Sequence, residues 1–466
     1  MSDRLEELRA RYEREGQGHV LAFAGQMEAR KRERFLDRLE AIDLRLVRTL
    51  REVSRRPGTT TGSAEFAPPA VFPLARSAAQ EVRAKEARRR GEELLRAGGV
   101  AFLLVAGGQA SRLGFEGPKG AFPVGPVTGR SLFELFARRV HAADARYGRS
   151  FAWYILTSEA NDEETRAFFA EHAHFGLGPE QVFFMRQGMV PALDREGRIL
   201  LAARDEVFMA PSGHGGVLAA LASSNALEDA RSRGVRSFSY FQVDNPLARP
   251  ADPLFLGLHA LENARMSSKV VEKRSPAEKV GVLGNVDGKL SCIEYSDLPA
   301  ALREARGPHG ELVYRAGNIA MHVLDVDFVH ELTRGGLQLP WHVAKKKMSV
   351  IDAHGKPVEV EGNKFETFVF DALQVAGRSV TLEVDRGAEF SPVKNKSGED
   401  SPATARADMC RLFARWASGA GLPLPPADES GVHPVEIDPV VAEDEREFEA
   451  RQPLAPKISP RGHLYG

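Results

Sequence analysis

VAFLLVAGGQASRLGFEGPKG, residues 100–120, is where the chain changes texture: a short apolar run breaks at once into glycine and charge. From there onward apolar runs alternate with amphipathic stretches. SLFELFARRVHAA, FAWYILTS, a helix over about 160–172, VFFMRQ, a helix over about 214–232 and SFSYFQVD follow one another in order. That alternation predicts β-α-β units, an α/β fold and a mixed, mostly parallel sheet. Ligands of such sheets sit at the carboxyl ends of the strands, so polar residues placed just after an apolar run are where chemistry is expected.

The loop AGGQASRLGFEGPKG, residues 106–120, holds five glycines together with Arg112 and Lys119. Glycine lets backbone N–H groups come close to phosphate oxygens, and two cations neutralise several negative charges, so the outline is that of a triphosphate cradle. It is neither a P-loop, lacking the closing GK[ST], nor a GxGxxG dinucleotide turn. An ordinary turn after a strand is the plainer alternative, and the two cations favour phosphate. SFSYFQV runs straight into Asp244, whose carboxylate at the sheet edge suits Mg2+, with a simple turn cap as the other reading. GHGG, residues 213–216, opens a helical stretch and offers N–H groups to an anion or a carbonyl. His214 within it has no second histidine at metal-ligand spacing, which leaves zinc unsupported. Glu294 and Asn318 lie in alternating segments and suit either a polar ligand or buried backbone. Lys394, in EFSPVKN after a strand-like segment, reads by itself as a surface lysine.

On the N-terminal side, residues 1–98 form a helical segment in which Phe35, Leu39, Ile42, Leu46 and Leu50 recur at helical spacing. A Pro-, Gly- and Thr-rich loop over about 56–73 precedes a charged helix over about 78–97. Its Arg88, Arg89 and Arg90 sit among glutamates, as a solvated face does. The catalytic domain is expected over 99–385 and a small C-terminal domain and tail over 386–466. With 63 Lys+Arg against 64 Asp+Glu, a net charge of -1 offers no global field for nucleic acid or an acidic membrane. Cys292 and Cys410 form no CxxC pair. No apolar run approaches the roughly 20 residues that span a bilayer. The charged start lacks the basic stub and apolar run of a secretory signal, so a cytoplasmic protein, monomeric or homodimeric, is expected.

Set end to end, these segments resemble the eukaryotic-type UDP-sugar pyrophosphorylase family, and its UDP-N-acetylhexosamine branch most. The resemblance spans about 102–406 through LLVAGGQASRLGFEGPKG, WYILTSE, FFMRQGMVPAL, MAPSGHGG, QVDNPL, ADPLF, KVVEKRSPAEKVGV, IEYSDL, YRAGNIAMH, HVAKKK, FETFVFDAL, EFSPVKN and SPATAR. It implies a Rossmann-like (GT-A-like) nucleotidyltransferase domain. It also implies roles: Val105, Ala106, Gly107 and Gly108 touch UTP, Arg112 and Lys119 handle its phosphates, and Gln187 and Gly213 bind the uridine part. Asp244 serves metal and triphosphate, Lys394 the reacting phosphates, and His214, Glu294, Asn318, Phe368 and Phe370 line the sugar pocket. The sequence departs from the pattern at Ala110 and Ser111, where the family shows Gly and Thr, and at Pro246. At position 214 the N-acetylhexosamine branch carries Asn, and the glucose and broad-sugar branches carry His.

The resemblance implies that UTP and a sugar 1-phosphate, N-acetylglucosamine or N-acetylgalactosamine 1-phosphate first, give a UDP-sugar and pyrophosphate with Mg2+ or Mn2+. UDP-glucose or UDP-galactose formation is the nearest rival, supported by His214. A non-catalytic UDP-sugar sensor would not need Arg112, Lys119, Asp244 and Lys394 together, and a glycosyltransferase would release UDP instead of pyrophosphate.

Overall fold

The run at 100–105 is a strand, Val100–Val105, and it lies inside a sheet rather than at its edge. It pairs in parallel with Trp153–Thr157 on one side and Ser237–Gln242 on the other, and Trp153–Thr157 pairs in parallel with Val182–Arg186. All five residues of Trp153–Thr157 are buried, as expected of parallel strands covered on both faces. The sheet is mixed. Ala316–Asp325 runs antiparallel to Ser237–Gln242 and carries Met266–Glu272 and Val282–Val286 on its far side. Ten strands join it among the residues that the computed structural model describes, 2–55 and 64–466.

Helices cover the sheet where the amphipathic stretches stand. Leu132–Tyr147 starts at Ser131, whose side chain accepts from the Glu134 N–H, and ends at Gly148 in the left-handed conformation. Ala78–Arg96 packs on Pro253–Leu261 at very close range: a Cβ on Gly91 would meet the Pro253 backbone, and one on Gly257 the Ala87 backbone. Ala87 and Gly91 take the buried side of that helix, while Arg89 and Arg90 pair with Glu93 in solvent. The helix Pro402–Gly419 sends Leu412, Phe413 and Trp416 into the same core as the sheet strands, together with Val435, Ile437 and Phe448.

The chain divides into two compact units, and neither is contiguous. The larger comprises Ser63–Arg186, Val217–Gly336 and Ala372–Gly466, and holds the ten-stranded sheet. The smaller comprises Met1–Gly62, Gln187–Gly216 and Leu337–Asp371. Its core joins Leu8, Tyr12, Phe35, Leu39, Val47 and Leu50 of the N-terminal helices to Val190, Leu193, Ile199 and Phe365. A long hairpin, His342–Ile351 against Pro357–Glu366, belongs to it. This differs from the expected consecutive segments 1–98, 99–385 and 386–466. The expected boundary at 98 falls between Ala78–Arg96 and Val100–Val105, which share one unit, as do the residues on both sides of 385.

Local expectations shift in four places. The helical spacing of Phe35 to Leu50 is real but belongs to two helices, Ala29–Glu40 and Leu44–Arg55, with Ile42 in the link. The helix over 214–232 is two, Gly216–Ser223 and Ala226–Ser232, parted at Asn225 with φ +62°. Lys394 follows no strand. The short helix Arg386–Glu389 leads into a non-repetitive segment instead. Of the loop over 56–73, residues 56–63 lie outside the described residues, and Phe66–Ala67 is a short strand paired with Val282–Val286.

Candidate active site

In the larger unit the glycine loop leaves Val105 at the strand's carboxyl end and folds back on itself. The Ala110 N–H donates to Gly117 (3.0 Å) and the Lys119 N–H to Gly108 (3.0 Å). Two glycines are demanded by geometry. Gly114 has φ +74°, and a Cβ on Gly120 would overlap the Phe133 ring. Asn161, buried, anchors the loop: its Nδ2 donates to the carbonyls of Ala106 (2.8 Å) and Gly108 (3.3 Å), while its Oδ1 accepts from the Ser158 N–H. Carbonyl oxygens engaged this way are turned from an arriving anion. A Cβ on Gly108 would meet nothing within 4 Å, so the backbone faces open space there. Gly107 is half-buried and Gly108 exposed.

Arg112 is exposed, in the short turn Ser111–Leu113. Lys119 opens the turn Lys119–Ala121, and its Nζ lies 4.0 Å from Asp244 Oδ2, the two side chains being only 18 % and 15 % exposed. The structure thus joins two residues 125 positions apart in sequence. The Val393 N–H donates to the Asp244 carbonyl (2.7 Å), which brings the segment bearing Lys394 against the same turn. Lys394 is itself exposed, and Lys396 reaches over Gly114, where its Nζ stands 3.4 Å from the place of a Cβ. One carboxylate therefore stands beside a loop and a segment rich in cations, an arrangement complementary to a polyphosphate.

Glu294 and Asn318 belong to this unit as well. Asn318, in Ala316–Asp325, directs Oδ1 to the Ala320 N–H (3.0 Å) and Nδ2 to Cys292 Sγ (3.5 Å). Glu294 follows the strand Lys289–Ile293. Its Oε1 and Cys292 Sγ both lie near Gly281, 3.6 and 3.0 Å from where a Cβ would stand. Ala320 has φ +54° beside a register shift in the ladder, strain of the kind that persists where the surroundings over-determine a residue.

The remaining candidates stand in the smaller unit. Gln187 donates from Nε2 to the Gly213 carbonyl (2.6 Å). Gly213 has φ +81° and no room for a side chain against Thr367. The Gly215 N–H donates to the Thr367 carbonyl and the Thr367 N–H to Ser212, both at 2.8 Å, which fixes the GHGG turn to the end of the hairpin. His214 stacks on Phe368 (centroids 5.2 Å apart, planes at 24°) and touches Phe370 (5.3 Å). His342 stacks on Phe368 (4.5 Å) and pairs with Asp371 (2.7 Å). Burial, helped by the neighbouring His342, pushes the His214 imidazole down to about 4. Its Nδ1 accepts from the Val369 N–H (3.2 Å), so the neutral ring carries its proton on Nε2 and presents a donor there.

Among the described residues no group of three or more His, Cys, Asp or Glu could hold a metal ion. A single carboxylate at Asp244 fits Mg2+ that enters with a triphosphate, because that ion takes one or two carboxylates and shares phosphate oxygens with the substrate. No helix among the described residues is long and apolar enough to cross a membrane.

Residues 71–409 match the family model described as UTP–glucose-1-phosphate uridylyltransferase. The chain belongs to that family. It is 38 % identical over 439 residues to the UDP-N-acetylhexosamine pyrophosphorylase-like protein 1 of Homo sapiens, covering 89 % of this chain and 86 % of that one. With UDP-N-acetylglucosamine diphosphorylase 2 of Arabidopsis thaliana it shares 33 % over 424 residues, covering 87 % and 83 %. The structure of the uridine diphosphate N-acetylglucosamine pyrophosphorylase from Trypanosoma brucei in complex with inhibitor superposes with a TM-score of 0.81 at 28 % identity, covering 97 % and 95 %.

Reading the sequence alone missed Asn161, which anchors the glycine loop, and His342, which completes the aromatic stack. Asn161 follows the strand Trp153–Thr157 as Asp244 follows Ser237–Gln242, so position after a strand was its available signal. Nothing local marks His342, whose partners Phe368 and Asp371 lie beyond the hairpin.

Proposed function

We propose that this chain is a uridylyltransferase that joins UTP to N-acetylglucosamine 1-phosphate, or its N-acetylgalactosamine counterpart, and releases a UDP-sugar and pyrophosphate. The observation that carries the reaction class is the approach of Lys119 to Asp244 at the open end of the glycine loop. The relatives named for UDP-N-acetylhexosamine and UDP-N-acetylglucosamine support the sugar.

An oxygen of the sugar 1-phosphate forms a bond to the α-phosphorus of UTP. The bond from that phosphorus to the bridging oxygen breaks, and its electron pair leaves on pyrophosphate. A phosphate monoester has its second pKa near 6, so the attacking oxygen is already ionised at neutral pH and no side chain need take a proton from it. The work left to the protein is positioning and charge neutralisation. Backbone at Val105, Ala106, Gly107 and Gly108 receives UTP, Lys119 and Arg112 neutralise its phosphates, and Lys394 serves the reacting phosphates. In the larger unit Glu294 and Asn318 are the candidates for the sugar, and in the smaller unit the family resemblance assigns Gln187 and Gly213 to the uridine part and His214, Phe368 and Phe370 to the sugar. Asp244 would hold Mg2+, or Mn2+, which when bound supplies further charge neutralisation at the phosphate oxygens.

The test is pyrophosphate release by the purified protein with UTP and Mg2+, run in parallel with the 1-phosphates of N-acetylglucosamine, N-acetylgalactosamine, glucose and galactose. Preference for an N-acetylhexosamine phosphate supports the reading. Preference for glucose or galactose 1-phosphate keeps the reaction and overturns the sugar, and His214 is the residue that would explain it. No release with any of the four overturns catalysis in favour of a UDP-sugar sensor, and UDP in place of pyrophosphate points to a glycosyltransferase.

A further inference from the structure

Asp244 and Lys394 come from segments 150 positions apart, and both must meet the same phosphates if the chain transfers a uridylyl group. What holds them in register is a buried carboxamide. Asn245, 3 % exposed, donates from Nδ2 to the Glu389 carbonyl (2.7 Å) and accepts at Oδ1 from the Ser391 N–H (3.1 Å) and the Leu247 N–H (3.3 Å). Next to it the Val393 N–H donates to the Asp244 carbonyl (2.7 Å). The turn is held from a third side, where Arg139 Nη2 donates to the Pro246 carbonyl (3.1 Å) while its Nη1 is bound by both oxygens of Glu443.

The far end of this clip is equally fixed. Glu389 is buried, and its carboxylate pairs with Lys269 (2.5 Å), a fully buried ammonium that also pairs with Asp252 (2.7 Å). Removing one member of such a buried set leaves an uncompensated charge, so the set moves as a whole or not at all. The N–H groups of Lys394 and Asn395 both donate to the Asp400 carbonyl (2.6 and 2.9 Å), which closes the segment carrying Lys394 into a loop; the Ser391 Oγ bond to Asp408 (2.7 Å) lies outside that closure and outside the contacts of Asn245. A carboxamide both donates to the carbonyl and accepts from the N–H groups at this place. Aspartate would set an oxygen against the Glu389 carbonyl, and alanine would take the side-chain partner from three backbone groups, the Glu389 carbonyl and the N–H groups of Ser391 and Leu247.

We infer that Asn245 is a positioning residue that sets the separation of Asp244 and Lys394, and so acts on the chemical step and not on substrate affinity. The inference rests on the uridylyltransferase reading above. Misplacement of a reacting group by about 1 Å costs on the order of 10²-fold in rate.

The experiment compares wild type, Asn245→Ala, Asn245→Asp and Ser391→Ala in steady-state pyrophosphate release at 25 °C, with UTP affinity measured separately by titration. Ser391→Ala removes only the bond to Asp408 and leaves the backbone N–H that Asn245 uses. The expected result is a fall of about 10²-fold in kcat for both Asn245 variants, with KM values and UTP affinity within threefold of wild type and Ser391→Ala near wild type. Asn245→Asp keeps the side-chain size, and stands in if Asn245→Ala does not fold. Wild-type kcat in the Asn245 variants overturns the inference. So does a loss that appears in KM and UTP affinity to the same degree as in kcat, or an equal loss in Ser391→Ala. A wild-type protein that turns over none of the sugar phosphates overturns the functional reading instead, which keeps the two failures apart.

Discussion

Two glycine-rich turns, one in each unit, look alike in sequence and differ in kind. Both the loop at 106–120 and GHGG at 213–216 read as anion sites from composition. In the first, a Cβ on Gly108 meets nothing, Asn161 holds the loop carbonyls, and Lys119, Arg112 and Lys396 supply charge. In the second, Gly213 and Gly215 are pressed against Thr367 and Phe368, and the side chain within the turn is a neutral histidine on a stack of phenylalanines. The first turn is open and electrostatic, the second packed and neutral. Gly108 in the first faces open space, whereas Gly213 and Gly215 in the second make room for the protein itself.

The comparison predicts where the largest losses fall. Lys119→Ala and Lys394→Ala should each lower kcat by ~10² to 10³, the usual cost of removing one preorganised charge from a transition state, with a melting temperature close to wild type. A loss confined to KM would mean that these lysines bind substrate and transition state alike.

Glycine substitutions separate the two turns next. Gly213→Ala forces a Cβ into the Thr367 backbone at a φ that alanine rarely adopts, and should destabilise the protein by more than ~1 kcal/mol. Gly108→Ala meets neither obstacle, so thermal denaturation should leave it unchanged while KM for UTP rises as the new methyl fills space meant for ligand. If Gly108→Ala melts early and binds UTP normally, the contrast between the turns is lost.

The same contrast explains what could be read without coordinates. Strand ends in parallel sheets are where ligands gather. Asp244 was legible as a candidate because it follows an apolar strand run closely, and Lys119 because it lies with Arg112 in the glycine loop that leaves another such run. Their 4.0 Å approach was not, since it depends on Val100–Val105 and Ser237–Gln242 being neighbours, a matter of strand order that no local pattern encodes. Lys394 looked like a surface lysine because its tie to Asp244 runs through backbone and through Asn245. The smaller unit was the least legible part. Residues 187–216 and 337–371 fall inside the expected catalytic domain 99–385, yet Val190, Leu193 and Phe365 bury themselves against N-terminal helices more than 130 residues away. Apolar periodicity announces that a face is buried and is silent about what covers it.

Smaller effects test the neutral character of the packed turn. His214 binds a proton only near pH 4 in the folded chain, against 6.5 when unfolded, and burial gives His259 the same low value. As pH falls from 6.5 toward 4 the unfolded chain takes up these protons first, so stability is full above about 6.5 and declines through that window. Each histidine contributes at most about tenfold per pH unit in the folding equilibrium. His214→Asn should therefore flatten denaturant-melt stability against pH by one proton's worth and leave the share of His259, and an unchanged slope would mean that His214 titrates in water-like surroundings. The smallest effect is expected at Arg89, whose side chain is 65 % exposed and pairs with Glu93 one turn on. Exposed pairs of this kind are worth about 0.3–0.5 kcal/mol, and the helix buries its other face through Ala87 and Gly91. Arg89→Ala should keep kcat and KM within twofold of wild type. A larger loss would place phosphate chemistry on that helix and take it away from the glycine loop.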